Sequence, residues 1–248
     1  MTNQTIFVTG AGRDIGRRIA ERLGNSQNFV IFHCASSLAG AEQALEKVVQ
    51  SGGSGAVVQV DLRELRACET LANQVIELLA GRQLDILISN AAIAAASPLG
   101  QTELTTIQAM TTVNLIAPFE LVSRLAPHMS DGGVIVTLSV AATQKIFSPD
   151  FAYFSATKAA VDCLVRHWAV ALGHRAIRVN AVAPGVIEAN FRAQLLQDAA
   201  FRQELESATA LKRVGQIDDV VDVVEFLASA ESRWITGQVI DVSGGWRI

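Results

Sequence analysis

The stretch from Ser139 to Lys158 gathers the side chains best suited to proton chemistry. It runs from a hydroxyl after a buried apolar run, through a loop, to Tyr153-Phe154-Ser155-Ala156-Thr157-Lys158. Residues four apart on a helix share a face, so the group one turn before Lys158 is residue 154. That residue is phenylalanine, which cannot exchange a proton, and the only tyrosine in the chain is Tyr153. A neighbour on a regular helix points about 100° away. Tyr153 therefore reaches the Lys158 face only through a one-residue π-type bulge or a shift in the first turn.

A second constellation is built from backbone. Thr9-Gly10-Ala11-Gly12-Arg13-Asp14-Ile15-Gly16 follows an apolar run and opens a helix-period segment. Glycines at 10, 12 and 16 let the chain approach a pyrophosphate at a helix N-terminus, where unpaired N–H groups favour anions. Asp14 would repel that anion, so it is expected to point outward or to cap the helix, with the cap favoured. The end of the second strand reads His33-Cys34-Ala35-Ser36-Ser37 and lacks the carboxylate that usually binds the adenosine ribose of NAD. Ser36 and Ser37 can donate to phosphate oxygens, so the expected cofactor is NADP(H). His33 is expected to pack rather than to act.

Elements that would position these groups follow from periodicity. Strands are expected at 5–9, 28–34, 56–60, 84–88, 133–138, 177–182 and 238–242. Helices are expected at 14–23, 39–50, 64–80, 102–129 with an interruption at Pro118, 152–172 and 217–228, and 188–213 reads as a loop region. Apolar strands without polar alternation, separated by helices, predict a doubly wound parallel sheet of about seven strands covered on both faces. At 248 residues, half of them hydrophobic, residues 1–248 are expected to form one α/β domain. A net charge of −4 without a basic stripe argues against a nucleic-acid surface. The apolar runs are of strand length and no leader pattern opens the chain, so neither a membrane span nor a signal peptide is expected. Cys34, Cys68 and Cys163 show no disulfide or metal spacing. No metal is expected, and a reducing cytoplasm is the default.

Taken together, these motifs resemble the short-chain dehydrogenase/reductase family over nearly the whole chain. The glycine turn is similar to its Thr-Gly-x-x-x-Gly-x-Gly, with Asp14 at the middle glycine, and the resemblance assigns Gly10, Arg13, Ile15 and Gly16 to the cofactor. Arg13 stands where NADP-preferring relatives carry a base. Asp61 and Leu62 after the third strand imply an adenine contact, and Asn90-Ala91-Ala92 resembles the family's Asn-Asn-Ala-Gly. Asn114 matches the helix asparagine whose carbonyl holds a water near the lysine. Pro184, Gly185 and Ile187 match the segment that contacts the nicotinamide carboxamide. Arg213-Val214-Gly215-Gln216, Glu225-Phe226-Leu227 and Ile235-Thr236-Gly237-Gln238 followed by Gly244-Gly245 resemble the C-terminal third. The resemblance implies a tyrosine that exchanges the proton and a lysine that lowers its pKa and binds the cofactor ribose. It also implies a serine that holds the substrate oxygen.

Against that pattern, Lys158 and Asn114 are present, but Val140 falls in the serine slot with Ser139 one before it. Ser139 serves only if the strand end is bulged, since adjacent strand residues face opposite sides; otherwise it caps the strand, with Thr143 in reserve. Three readings stay open. Tyr153 replaces the missing phenol; or Phe154 fills its site and the proton comes from water, Lys158 or the substrate; or the protein binds NADP(H) without reducing anything, as a sensor or oligomer partner. The leading expectation is reduction of a carbonyl or conjugated double bond on a small, apolar substrate. A pteridine-reductase resemblance rests on Asp14 and His33, and Val140 in place of that subfamily's aspartate weakens it. The family's variable substrate loop matches 188–213, with Phe191, Arg192, Leu195, Leu196 and Phe201. Phe147, Phe151 and Phe154 either make the pocket aromatic or pack beneath the helix. The helix after Lys158 is apolar nearly all round, and the resemblance implies a homodimer or homotetramer.

Overall fold

The computed structural model describes residues 3–25, 27–189 and 197–248. Seven strands form one parallel sheet: β1 Thr5–Val8, β2 Phe29–Cys34, β3 Ser54–Gln59, β4 Leu84–Ser89, β5 Met129–Leu138, β6 Arg178–Pro184 and β7 Val239–Val242. Their order is β3-β2-β1-β4-β5-β6-β7, so the winding direction reverses between β1 and β4. All neighbouring pairs are parallel. In such a sheet a ligand crevice opens at the carboxyl ends of the strands flanking the reversal.

Helices cover both faces, as the unbroken apolar strands require. Along β1, Ile6 and Val8 point to one side and Phe7 to the other, which follows from the two-residue strand period. The first layer contains α1 Asp14–Leu23, α2 Leu38–Gln50 and α8 Ile217–Ala228, with Ile19, Ala44 and Val224 in its core. The second contains α3 Ala67–Leu79, α5 Ala117–Leu125 and α6 Ala152–Leu172, with Leu71, Leu121 and Val165 in its core. Two further helices are α4 Leu104–Thr111 and α7 Ala199–Ser207.

Four details depart from the sequence expectation. Pro118 does not interrupt a helix. It lies in the first turn of α5, which continues α4 through a π-helical turn with helical backbone at every junction. The irregularity just before it is a π-helical turn, Thr112–Ile116, that contains Asn114. α7 stands inside the stretch read as loop. β5 begins at Met129, with a register shift against β4 between Leu84 and Ile86. Phe191, Arg192, Leu195 and Leu196 lie outside the described residues.

Candidate active site

A cleft of about 650 Å³ opens at the carboxyl ends of the central strands, at the point of reversal. Gly10, Gly12, Arg13, Asp14, Ile15 and Gly16 form one wall. Two features fix this turn. Gly10 has φ +68, and a Cβ on Gly16 would stand 2.2 Å from Asn90 Nδ2 and 2.3 Å from the Gly10 carbonyl oxygen, so neither position accepts a side chain without movement. The Asn90 amide donates to the carbonyls of Thr9 (3.0 Å) and Gly10 (3.1 Å), while Thr9 Oγ1 accepts from the backbone N–H groups of Asn90 and Ala91. Asn90 and Ala91 thereby clamp the end of β4 to the turn.

Asp14 has a left-handed backbone, φ 49, at a position where the motif has glycine. The favoured cap is not where it was expected. The cap position of α1 belongs to Arg13, whose side chain makes no capping hydrogen bond, and Asp14 begins the helix with a loose 4.0 Å ion pair to Arg13.

His33 supports the same turn from below, a role that its apolar strand context concealed. The Gly10 N–H points to His33 Nδ1 at 3.3 Å, and His33 Nε2 lies 2.9 Å from the Val60 carbonyl oxygen. A carbonyl can only accept, so Nε2 carries the proton and Nδ1 is the free acceptor. Burial holds His33 below its ordinary pKa, against the opposing pull of Val60 and Asp61. Because the folded state prefers neutral imidazole, the stability this gives is complete above the unfolded value near 6.5 and is lost progressively as pH falls from there toward the lower folded value. Melting temperature is therefore expected to fall between pH 7 and pH 5. His33→Leu should flatten that slope while weakening cofactor binding. An unchanged slope in the variant would rule this role out.

At the adenosine end, Ser36, Ser37, Asp61, Leu62 and Arg63 line the cleft together with Arg13, whose side chain is 68% exposed. Asp61 is held by a fork from Arg63, which keeps its carboxyl below the usual range. No carboxylate lies in Cys34-Ala35-Ser36-Ser37 at the end of β2. Three donor-bearing side chains converge there instead, and a phosphorylated ribose suits them better than a bare one. The cleft therefore fits a phosphorylated dinucleotide on its geometry and its donor set.

At the other end stand Lys158, Ser139, Val140, Phe154, Pro184, Gly185, Ile187 and Ala189. Lys158 is buried, and its Nζ donates to the Leu138 carbonyl oxygen at 2.7 Å. Burial pushes its pKa down to about 8, opposed by the nearby Asp162 carboxylate. Asn114 is locked in place: its Oδ1 accepts from the Ile93 N–H, and its Nδ2 donates to the Ile93 carbonyl and to Thr157 Oγ1.

Tyr153 does not join this group. α6 is regular from Ala152 onward, so no bulge lies between Tyr153 and Lys158, and the Tyr153 hydroxyl is 2.7 Å from Thr111 Oγ1 on α4. The candidate role of Tyr153 as a displaced phenol is thus corrected: on an unbroken helix the ring stays on its own face. Phe154 occupies the cleft side, 8% exposed, edge-on to Phe151 at 6.5 Å. The backbone of β5 runs into Ser139 without a bulge, and the Ser139 N–H donates to the Val182 carbonyl. Val140 lines the cleft, and the Ser139 hydroxyl is buried without a well-formed hydrogen bond.

Beside Val140 and Phe154 an aromatic array continues to the buried Trp246. Phe147 meets Phe151 at 5.9 Å, Trp246 at 6.0 Å and Phe201 at 6.4 Å. Phe201 belongs to the stretch read as the substrate loop, whereas Trp246 comes from remote sequence, which is why spacing alone did not join it to the site. Among the described residues no group of metal-ligating side chains is found, and no helix is long and apolar enough to cross a membrane. Cys34, Cys68 and Cys163 are free thiols.

Comparison with known proteins agrees with this geometry. The family model described as enoyl-(acyl carrier protein) reductase matches residues 10–247. An uncharacterized oxidoreductase of Methylorubrum extorquens is 32% identical over 248 residues, covering 100% of this chain and 99% of the relative. Versicolorin reductase of Emericella nidulans is 32% identical over 255 residues, covering 99% and 96%. The crystal structure of the angucycline C-6 ketoreductase LanV with bound NADP superimposes with a TM-score of 0.92 at 35% identity, covering 99% of this chain and 96% of that one.

Proposed function

This chain belongs to the short-chain dehydrogenase/reductase family, and from that premise we propose that it is an NADP(H)-dependent reductase of a ketone on a flat, aromatic, polyketide-type substrate. The observation that carries this reading is the junction of two surfaces at Lys158: a phosphate-accepting cleft on one side and an aromatic wall on the other. The relative named versicolorin reductase and the neighbour named angucycline C-6 ketoreductase support the substrate class. Rings stacked edge-to-face offer such a substrate a surface of matching chemistry.

When bound, the cofactor supplies a hydride from its reduced nicotinamide. The chain's own residues bind, orient and protonate. The turn at Gly10–Gly16 takes the pyrophosphate, and Arg13, Ser36 and Ser37 take the ribose phosphate. Asp61 and Leu62 flank the adenine, and Pro184, Gly185 and Ile187 border the nicotinamide. Phe154 and Val140 hold the substrate ring and exclude water. The Lys158 ammonium gives its proton to the carbonyl oxygen as the carbon gains the hydride, leaving a neutral amine that takes a proton back from solvent. A pKa of about 8 suits that task, since general acids work best near the operating pH. The whole chain acts as one domain in the cytoplasm. The small outward face of α6, with Ala159 and Cys163, serves pairing into a homodimer or homotetramer.

A second reading is favoured by Phe154 and Val140 together, because both hydroxyl positions are apolar: the protein holds NADP(H) without turning it over. One experiment separates the two. NADPH fluorescence should be perturbed by the protein under either reading. Single-turnover oxidation of bound NADPH should then proceed with 1-tetralone and a tricyclic homologue, and more slowly with cyclohexanone. Binding without oxidation by any ketone would leave only the second reading, and no binding would remove both.

A further inference from the structure

Among the described residues, three buried polar atoms without a well-aligned hydrogen bond converge behind Lys158: Ser139 Oγ, Thr143 Oγ1 and Asp162 Oδ1. Asp162 lies one helical turn beyond Lys158 on the same face of α6. It is 6% exposed and Lys158 is 4% exposed. The next residues inward, Val161 and Val165, are apolar, so an acid at this position is not needed for packing. An uncompensated carboxylate there would be strongly disfavoured. Its compensation is visible. Burial raises the carboxyl above its ordinary range, and the Ser139 and Thr143 hydroxyls, Lys158 and the exposed Arg166 pull it back part of the way. Seen from Lys158, Asp162 is the charged group that opposes desolvation.

We propose that Asp162 is a positioning residue: its buried carboxylate, bracketed by Ser139 and Thr143, holds Lys158 as an ammonium at the floor of the cleft. The proposal rests on the reading of Lys158 as proton donor. In a site where residue 154 has no phenol, a neutral amine would have nothing to donate, and burial alone drives Lys158 toward that amine. Asp162 opposes that drive without entering the cleft, of which it is not a lining residue. The same placement gives Ser139 a use. It turns from the substrate slot, which Val140 takes, toward the acid.

The chain has four lysines, Lys47, Lys145, Lys158 and Lys212, few enough to follow one by one through ¹³Cε-labelled lysine NMR, with Lys158→Arg giving the assignment. In the full chain, Asp162→Asn is expected to lower the Lys158 midpoint by about one pH unit or more, the effect of removing a close opposite charge. The other three lysines should not move. Thr143→Val, which withdraws one donor from the carboxylate, should lower the midpoint by less, and it carries the test if the asparagine variant fails to fold. A Lys158 midpoint that stays or rises in the folded variants overturns the proposal. If the midpoint falls but the pH profile of single-turnover NADPH oxidation does not follow it, the role of Asp162 stands and the donor role of Lys158 fails.

Discussion

Phe154→Tyr is expected to raise the single-turnover rate of ketone reduction by about 10²-fold, the lower end of what a positioned acid contributes. Residue 154 is the cleft-facing position one turn before Lys158, and its ring already stands at the edge of the cleft. A para hydroxyl added there extends into the cleft, beside a buried ammonium that would lower its pKa from the usual value near 10. The gain is held to the low end because Val140 offers the substrate oxygen no second donor. Val140→Ser on top of Phe154→Tyr should therefore add to it. Tyr153→Phe is the control. It removes the hydroxyl bonded to Thr111 and should cost about 1 kcal/mol of stability, with the reduction rate unchanged. A rate that collapses in Tyr153→Phe would mean that the phenol reaches the cleft after all. A Phe154→Tyr protein no faster than wild type would show that a missing acid is not what limits the reaction.

What the sequence revealed, and what it hid, divides along physical lines. Backbone features were legible. The doubly wound sheet follows from apolar strand-length runs between helix-period segments, and the glycine turn from positions at which a Cβ has no room. Elements with little core to bury were not. α7 sinks only Leu205 among its own residues, so its polar stretch read as loop. The π turn around Asn114 leaves no mark on a pattern of apolar spacing, and Pro118 drew attention to the wrong residue. Direction was the hardest quantity. Whether Tyr153 or Phe154 faces Lys158 depends on where α6 begins and whether it is regular, and spacing permits either. His33 and Asp162 show the same limit. A polar residue in an apolar run has a role only once its partners are known, and those partners, Gly10 and Val60 for one, Ser139 and Thr143 for the other, come from other elements.

Lys158→Met should abolish more than any other single change in the cleft, and its effects on rate and on stability should come apart. The rate of single-turnover NADPH oxidation is expected to fall by about 10²–10⁴-fold, the full contribution of a general acid. Methionine matches the length of the lysine stem and fills the same buried channel. Stability follows a different rule, because the change takes the Lys158 charge away from the buried Asp162 carboxyl. Breaking one side of a buried pair costs roughly 3 kcal/mol or more, whereas removing both sides is often neutral. Lys158→Met alone should therefore melt lower than wild type, and the deficit should grow as pH rises, since burial raises the Asp162 carboxyl and the deficit needs its ionised form. Lowering the pH protonates that carboxyl and should recover part of the loss. The double variant Lys158→Met with Asp162→Asn should melt near wild type while remaining as slow as the single one. If the single variant keeps the wild-type rate, the proton comes from water. If the double variant melts no higher than the single, Lys158 and Asp162 are not a pair.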